Sequence, residues 1–199
     1  MSGFPEIAHR NEPVPILVLG LGNTLLSDDG VGPALVEKLA DGAGSWKEEV
    51  DFVDGGTQGL ALLGQFSGRR AVIILDAVRM GAPAGTVHRL TLPELRRVCS
   101  GRAGSGHESN AGELLAAAEL LNELPGRLFV VGVEPETITT GVALSPAVQE
   151  ALPAARDQVE CLLNELCWRP SSHGPAFEPM ENGVQRDSLT IRRNAAGSG

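Results

Sequence analysis

The sequence predicts an α/β protein with a doubly wound, mostly parallel five-stranded sheet and helices on both faces. Three observations carry this. The runs at 15–19 and 71–75 are continuously apolar, as strands buried on both faces must be. The segments between the strands switch to helical spacing of their apolar residues, the alternation that builds parallel sheets. Polar, glycine-containing segments follow the strand ends, where open α/β sheets gather their ligand-binding residues.

The first strand, 15–19, runs into Gly20 and Gly22 and then a glycine-containing loop. A helix follows, carrying Leu35, Val36 and Leu39. Pro33 fits only within its first turn, so the helix should start near Gly30 to Gly32. A second strand at 50–53 leads into the turn Asp54-Gly55-Gly56-Thr57, with Thr57 as a candidate cap. The next helix carries Leu60, Leu62, Leu63 and Phe66. The third strand, 71–75, ends at Asp76. Residues 86–90 form a fourth strand, which its short Gly/Pro connection allows to be an antiparallel edge. Residues 99–110 read as a polar loop, with Asn110 capping a helix over 113–124. A fifth strand at 127–133 ends at Glu134-Pro135. Ser145 then caps a final helix that runs from Pro146 to about Trp168.

The 199 residues suffice for one domain with a substantial core. We expect a flexible N-terminal segment at 1–13, a single domain at 14–168 and a disordered tail at 169–199, because neither end has hydrophobic periodicity. A net charge of −9 without a basic patch argues against nucleic acid and anionic membranes as partners. With no signal-like or membrane-spanning apolar run, the expected location is the cytoplasm. Cys99, Cys161 and Cys167 lack paired zinc or redox spacing and are expected to be buried or incidental thiols. His9, His88 and His173 are expected to be surface or strand residues.

Three places beyond strand ends carry chemistry: the loop with Asp28 and Asp29, Asp76, and His107 in the long polar loop. Two carboxylates and an imidazole could converge on a divalent transition metal and leave coordination positions open for a partner's ligands. Each residue also has a structural reading. Asp28 or Asp29 could cap the following helix, Asp76 could close a turn, and His107 could be solvated. If Asp28 only caps, Asp28→Asn should be milder than Asp29→Asn. Ordinary zinc-protease chemistry lacks its HExxH helix, and serine hydrolysis lacks a GxSxG elbow. Cys99 has no histidine beside it in sequence to activate it. Gly20-Leu21-Gly22 opens like a dinucleotide fingerprint, but the third glycine position is Leu25.

Gly20-Leu21-Gly22-Asn23, Ser27-Asp28-Asp29-Gly30-Val31-Gly32, Asp54-Gly55-Gly56-Thr57, Ile74-Leu75-Asp76-Ala77, Gly106-His107-Glu108 and Val131-Gly132-Val133-Glu134-Pro135 occur in one order across 14–166. In this the chain resembles the maturation endopeptidases of nickel-iron hydrogenases. The resemblance implies a protease that removes a C-terminal extension from the hydrogenase large-subunit precursor after nickel insertion. It implies that Asp29, Asp76 and His107 recognise nickel carried by that precursor, with weak affinity in its absence. Many relatives have Glu, one methylene longer, at the position of Asp29. Two alternatives stay open: a non-catalytic nickel-dependent chaperone of the same precursor, and a nucleotide-binding Rossmann domain.

Overall fold

The computed structural model describes residues 14–44, 46–101 and 110–167. The expected N-terminal segment, the tail from 169 and His107 lie outside the described residues. Five strands, β1 (Ile16–Leu21), β2 (Val50–Gly56), β3 (Ala71–Ala77), β4 (Val87–Thr91) and β5 (Arg127–Val133), form one sheet in the order β2-β1-β3-β5-β4. All pairings are parallel except β4 with β5, so the antiparallel edge strand is present. Four α-helices accompany them: α1 (Val31–Asp41), α2 (Leu92–Gly101), α3 (Asn110–Leu120) and α4 (Pro146–Cys167). A 3-10 turn at Ser27–Gly30 precedes α1, and a 3-10 helix at Gly59–Phe66 takes the place of the α-helix expected there.

Strand alternation divides the core into two layers. Ile16, Val18, Ile73 and Val131 pack against Leu35 and Leu39 of α1 and Val159 and Leu163 of α4. Leu17, Leu19, Ile74 and Val130 pack against Phe66, Leu95 of α2 and Leu114 of α3. Both faces of β1 and β3 are therefore covered, which is why their sequences show no polar alternation.

Several local expectations need correction. Strand β2 extends through the Asp54-Gly55-Gly56 turn, and the 3-10 helix after it is preceded by Gln58 with no side-chain cap, so Thr57 caps nothing. Asp76 lies within β3 and does not follow it. Cys99 belongs to α2, not to a loop. That helix is announced by a capping box: Glu94 reaches back to accept from the Thr91 amide at 2.8 Å and the Thr91 hydroxyl at 2.6 Å. Helix α3 begins at Asn110 and stops at Leu120, four residues short of the expected end. Asn122, at φ 56°, leaves the right-handed region just beyond it. The Ser145 cap is present, with its hydroxyl accepting from the Val148 amide at 3.4 Å. Cys161 is exposed and Cys167 half-buried.

Candidate active site

The sheet order determines where a site can form. From β1 the chain crosses to β2 on one side, and β3 then returns to pair with the other side of β1. The carboxyl ends of β1 and β3 thus flank the point where the winding reverses, which is where open α/β sheets place their ligand crevices. Asp29 comes from the turn after β1, and Asp76 from the end of β3.

Close backbone packing brings that turn down onto the sheet. Gly22 has φ 126°, and a methyl group there would overlap the carbonyl oxygen of Asp29. At Gly32 a methyl group would overlap the carbonyl oxygens of Leu21 and Leu75, so the start of α1 sits directly on β1 and β3. Gly22→Ala is expected to displace Asp29 and to destabilise the domain by about 2 kcal/mol or more. Thermal denaturation checks this, and an unchanged Tm would contradict it.

Asp29 is half-buried, and one of its carboxylate oxygens accepts from the Asn23 amide at 2.7 Å. Asp76 is 1% exposed and alternates onto the layer that faces α3. Its Oδ2 accepts from the Ala111 amide in the first turn of α3 at 3.0 Å. Its Oδ1 is buried with no hydrogen-bond partner among the described residues. Burial pushes the Asp76 carboxyl up to about 7, and the negative charge of Asp29 adds to the rise, while the Ala111 amide opposes it. Neither Asp29 nor Asp76 forms a salt bridge among the described residues. Two neighbouring carboxylates, one with an unpartnered buried oxygen, form an electronegative pair that a divalent cation would satisfy. His107 lies three residues before α3, whose first turn touches Asp76.

The structure separates the roles of Asp28 and Asp29. Neither caps α1, which has no side-chain cap, and the 3-10 turn has none either. Asp28 is fully buried and turns away from Asp29 toward the segment after β5. Its Oδ2 accepts from the Glu136 and Thr137 amides at 2.9 and 3.0 Å, and its Oδ1 from the Ser145 amide at 2.6 Å. Burial alone would raise its pKa, but these amides and the Ser145 hydroxyl together hold it below the ordinary value. A second carboxylate, Glu134, does a similar job nearby. It accepts from the Met80 amide at 2.8 Å, the Gly81 amide at 2.9 Å and lies 3.2 Å from Nε2 of His88. His88 is therefore a strand residue, as expected, but one whose ring has a carboxylate hydrogen-bond partner. Sequence reasoning missed both carboxylate roles, because the partners of Asp28 and Glu134 lie far away in the chain.

A groove of about 460 Å³ lies beside the 3-10 turn, lined by Ser27, Gly30, Pro33, Glu37, Asp54 and Leu144 among others. Asp54 contributes to this groove; Gly56 and Thr57 do not line it.

The fold and the neighbouring carboxylates define a doubly wound α/β protein with two acids, Asp29 and Asp76, at its switch point. A family model for hydrogenase maturation proteases, HycI, matches residues 33–161. The Hydrogenase 2 maturation protease of Escherichia coli (strain K12) is 36% identical over 152 residues, which is 75% of this chain and 91% of that protein. The hydrogenase expression/formation protein HupD of Thiocapsa roseopersicina is 36% identical over 149 residues, covering 73% of this chain and 66% of that one. The chain thus spans about two thirds of that HupD's length. Among solved structures, the hydrogenase maturating endopeptidase HybD from E. coli aligns with a TM-score of 0.64 and 32% identity, over 76% of this chain and 93% of that chain. The chain belongs to the hydrogenase maturation protease family.

Proposed function

We propose that the protein is the endopeptidase that removes the C-terminal extension of a nickel-loaded hydrogenase large-subunit precursor. The observation that carries this reading is the buried, unpartnered Oδ1 of Asp76 in the field of Asp29. Such a pair is an incomplete coordination shell, with His107 as the third ligand supplied by this chain. Nickel belongs to the substrate, and the precursor's own ligands complete its shell. Without a cation, Asp76 relieves the charge by holding a proton near neutrality; a divalent cation takes that proton's place. The resting protein therefore binds free nickel weakly.

Recognition of the substrate's nickel positions the scissile amide beside the crevice. One water adds to the amide carbonyl, the C–N bond breaks, and the two protons of that water end on the new carboxyl and amino groups. The groove beside the 3-10 turn gives an extended peptide a path past Asp29. Among the described residues no helix is long and apolar enough to cross a membrane. On this reading the protein works in the cytoplasm with the precursor as its partner.

Incubation with a large-subunit precursor, with and without nickel, followed by intact mass measurement, tests the proposal. Loss of a C-terminal fragment only from the nickel-loaded precursor is expected. A complex without any mass change would favour the chaperone reading. At the site itself, Asp29→Glu should keep cleavage, because it retains the charge and adds one methylene, whereas Asp29→Asn should lose it. Wild-type cleavage by Asp29→Asn would remove Asp29 from the site.

A further inference from the structure

The segment after β5 touches the turn that bears Asp29 and the connection that follows β3, and it does so through buried charges. Its Glu136 and Thr137 amides, together with that of Ser145, bind the Asp28 carboxylate next to Asp29. Its first residue, Glu134, sends its own carboxylate the other way, to the Met80 and Gly81 amides in the connection that follows Asp76. Backbone bonds reinforce both sides. The Ser27 amide donates to the Gly141 carbonyl at 2.7 Å and the Asp28 amide to the Thr137 carbonyl at 3.3 Å. On the other side, the Val78 amide donates to the Val133 carbonyl at 3.0 Å. The Ser27 hydroxyl also donates to the Thr139 carbonyl at 2.8 Å.

Ser27 holds φ 50°, a left-handed conformation that a non-glycine residue keeps only when its surroundings over-determine it. The backbone between β1 and α1 is thus held at Ser27 and Asp28, directly before Asp29. A carboxylate accepting several amides fixes both distance and direction, because charge-assisted hydrogen bonds are short and angle-sensitive. These bonds gather at the carboxyl ends of the strands, outside the two apolar layers, where hydrophobic packing leaves relative loop positions loosely defined.

From these contacts we infer that the corner formed by residues 134–137 is a positioning element that sets Asp29 against Asp76, with Asp28 and Glu134 as its two pins. Asp28 and Glu134 are positioning residues and touch no substrate. The inference rests on the site reading given under Proposed function. It assigns to the Asp28 side chain a task distinct from capping, and to Glu134 and His88 a part in holding the connection after Asp76.

The test compares Asp28→Asn and Glu134→Gln with wild type and Asp29→Asn on nickel-loaded precursor, at a temperature below every variant's Tm. A misplacement of about 1 Å can cost about 100-fold in rate. Both pin variants are expected to lose about that much in kcat with KM within a few-fold of wild type. In the NMR spectrum the Asn23 amide, which donates to Asp29, should shift in Asp28→Asn while the amides of β4 stay in place. Wild-type kcat in both folded pin variants, with Asp29→Asn inactive, would overturn the positioning role and leave the site reading standing. Wild-type kcat in Asp29→Asn would overturn both. If Asp28→Asn does not fold, Glu134→Gln alone decides, by the same kcat criterion.

Discussion

Asp76→Asn is expected to reduce cleavage of nickel-loaded precursor by at least about 100-fold while leaving the fold intact. Groups that merely orient metal ligands cost about 10- to 100-fold when removed, so if Asp76 is the ligand proposed above, its loss should cost no less. The substitution preserves size, and the Asn carbonyl can still accept from the Ala111 amide. It also removes a titration. The carboxyl is pushed up to about 7 in the folded protein, chiefly by burial, so between about 4 and 7 the folded state binds more protons than the unfolded state. Stability contributed by Asp76 is therefore present at low pH and is lost as pH rises through about 7. Asn does not titrate. The stability of Asp76→Asn relative to wild type should thus improve between pH 5 and pH 8 by on the order of 2 kcal/mol. Its absolute offset also includes the Asn amide group placed where Oδ1 has no partner. Denaturant titrations at the two pH values measure the change in that difference. A difference that stays constant with pH would show that Asp76 is already ionised in the free protein, and cleavage at the wild-type rate would remove it from the site.

Asp28→Ala should bring the largest loss of stability, about 3 to 5 kcal/mol near neutral pH. It strips three backbone amides, those of Glu136, Thr137 and Ser145, of a charged acceptor in a place that water does not reach around the side chain. Asp28→Asn should lose less, since one carbonyl oxygen remains, but more than an exposed helix cap would. The pH dependence has the opposite sign to that of Asp76. The folded pKa of Asp28 lies below its ordinary value, so its stabilisation is present above about 4 and fades as pH falls through the folded value. The gap in stability between wild type and Asp28→Ala should accordingly narrow in acid. Chemical denaturation from pH 7 to pH 3 checks both points. A loss under 1 kcal/mol at pH 7 would mean that the strap between the 3-10 turn and the segment after β5 is held by the backbone alone.

Much of the architecture follows from local sequence. The apolar runs of β1 and β3 could only be doubly buried strands, and strand β5 and helix α4 lie within a residue of where their spacing places them. The loop with Asp28 and Asp29, and Asp76, could be picked out as candidates because they lie at or just beyond strand ends, where open parallel sheets gather ligand-binding residues. Preferring Asp29 to Asp28 rested on the family resemblance. Elsewhere local reading fell short. Helix α2 went unseen although Thr91 and Glu94 form a capping box, because Pro93 and the polar residues after it resemble a loop. Asp28 and Asp29 look alike in sequence, two acids before a helix, and either might cap it.

Composition, periodicity and the ordered motifs were enough to determine the α/β class and its mostly parallel sheet and to single out two carboxylates as candidates, since these depend on contacts among near neighbours in the chain. Only the tertiary structure decided which acid faces which partner. Asp28 meets residues 108, 109 and 117 positions away, and the donor to Asp76 lies 35 positions away. No periodicity encodes such pairings. They arise because β3 returns to the far side of β1 and β5 packs beside β3, which brings three strand ends and their loops to one place. The elevated pKa of Asp76 has the same origin, because burial and the charge of Asp29 act on it only after the chain has closed.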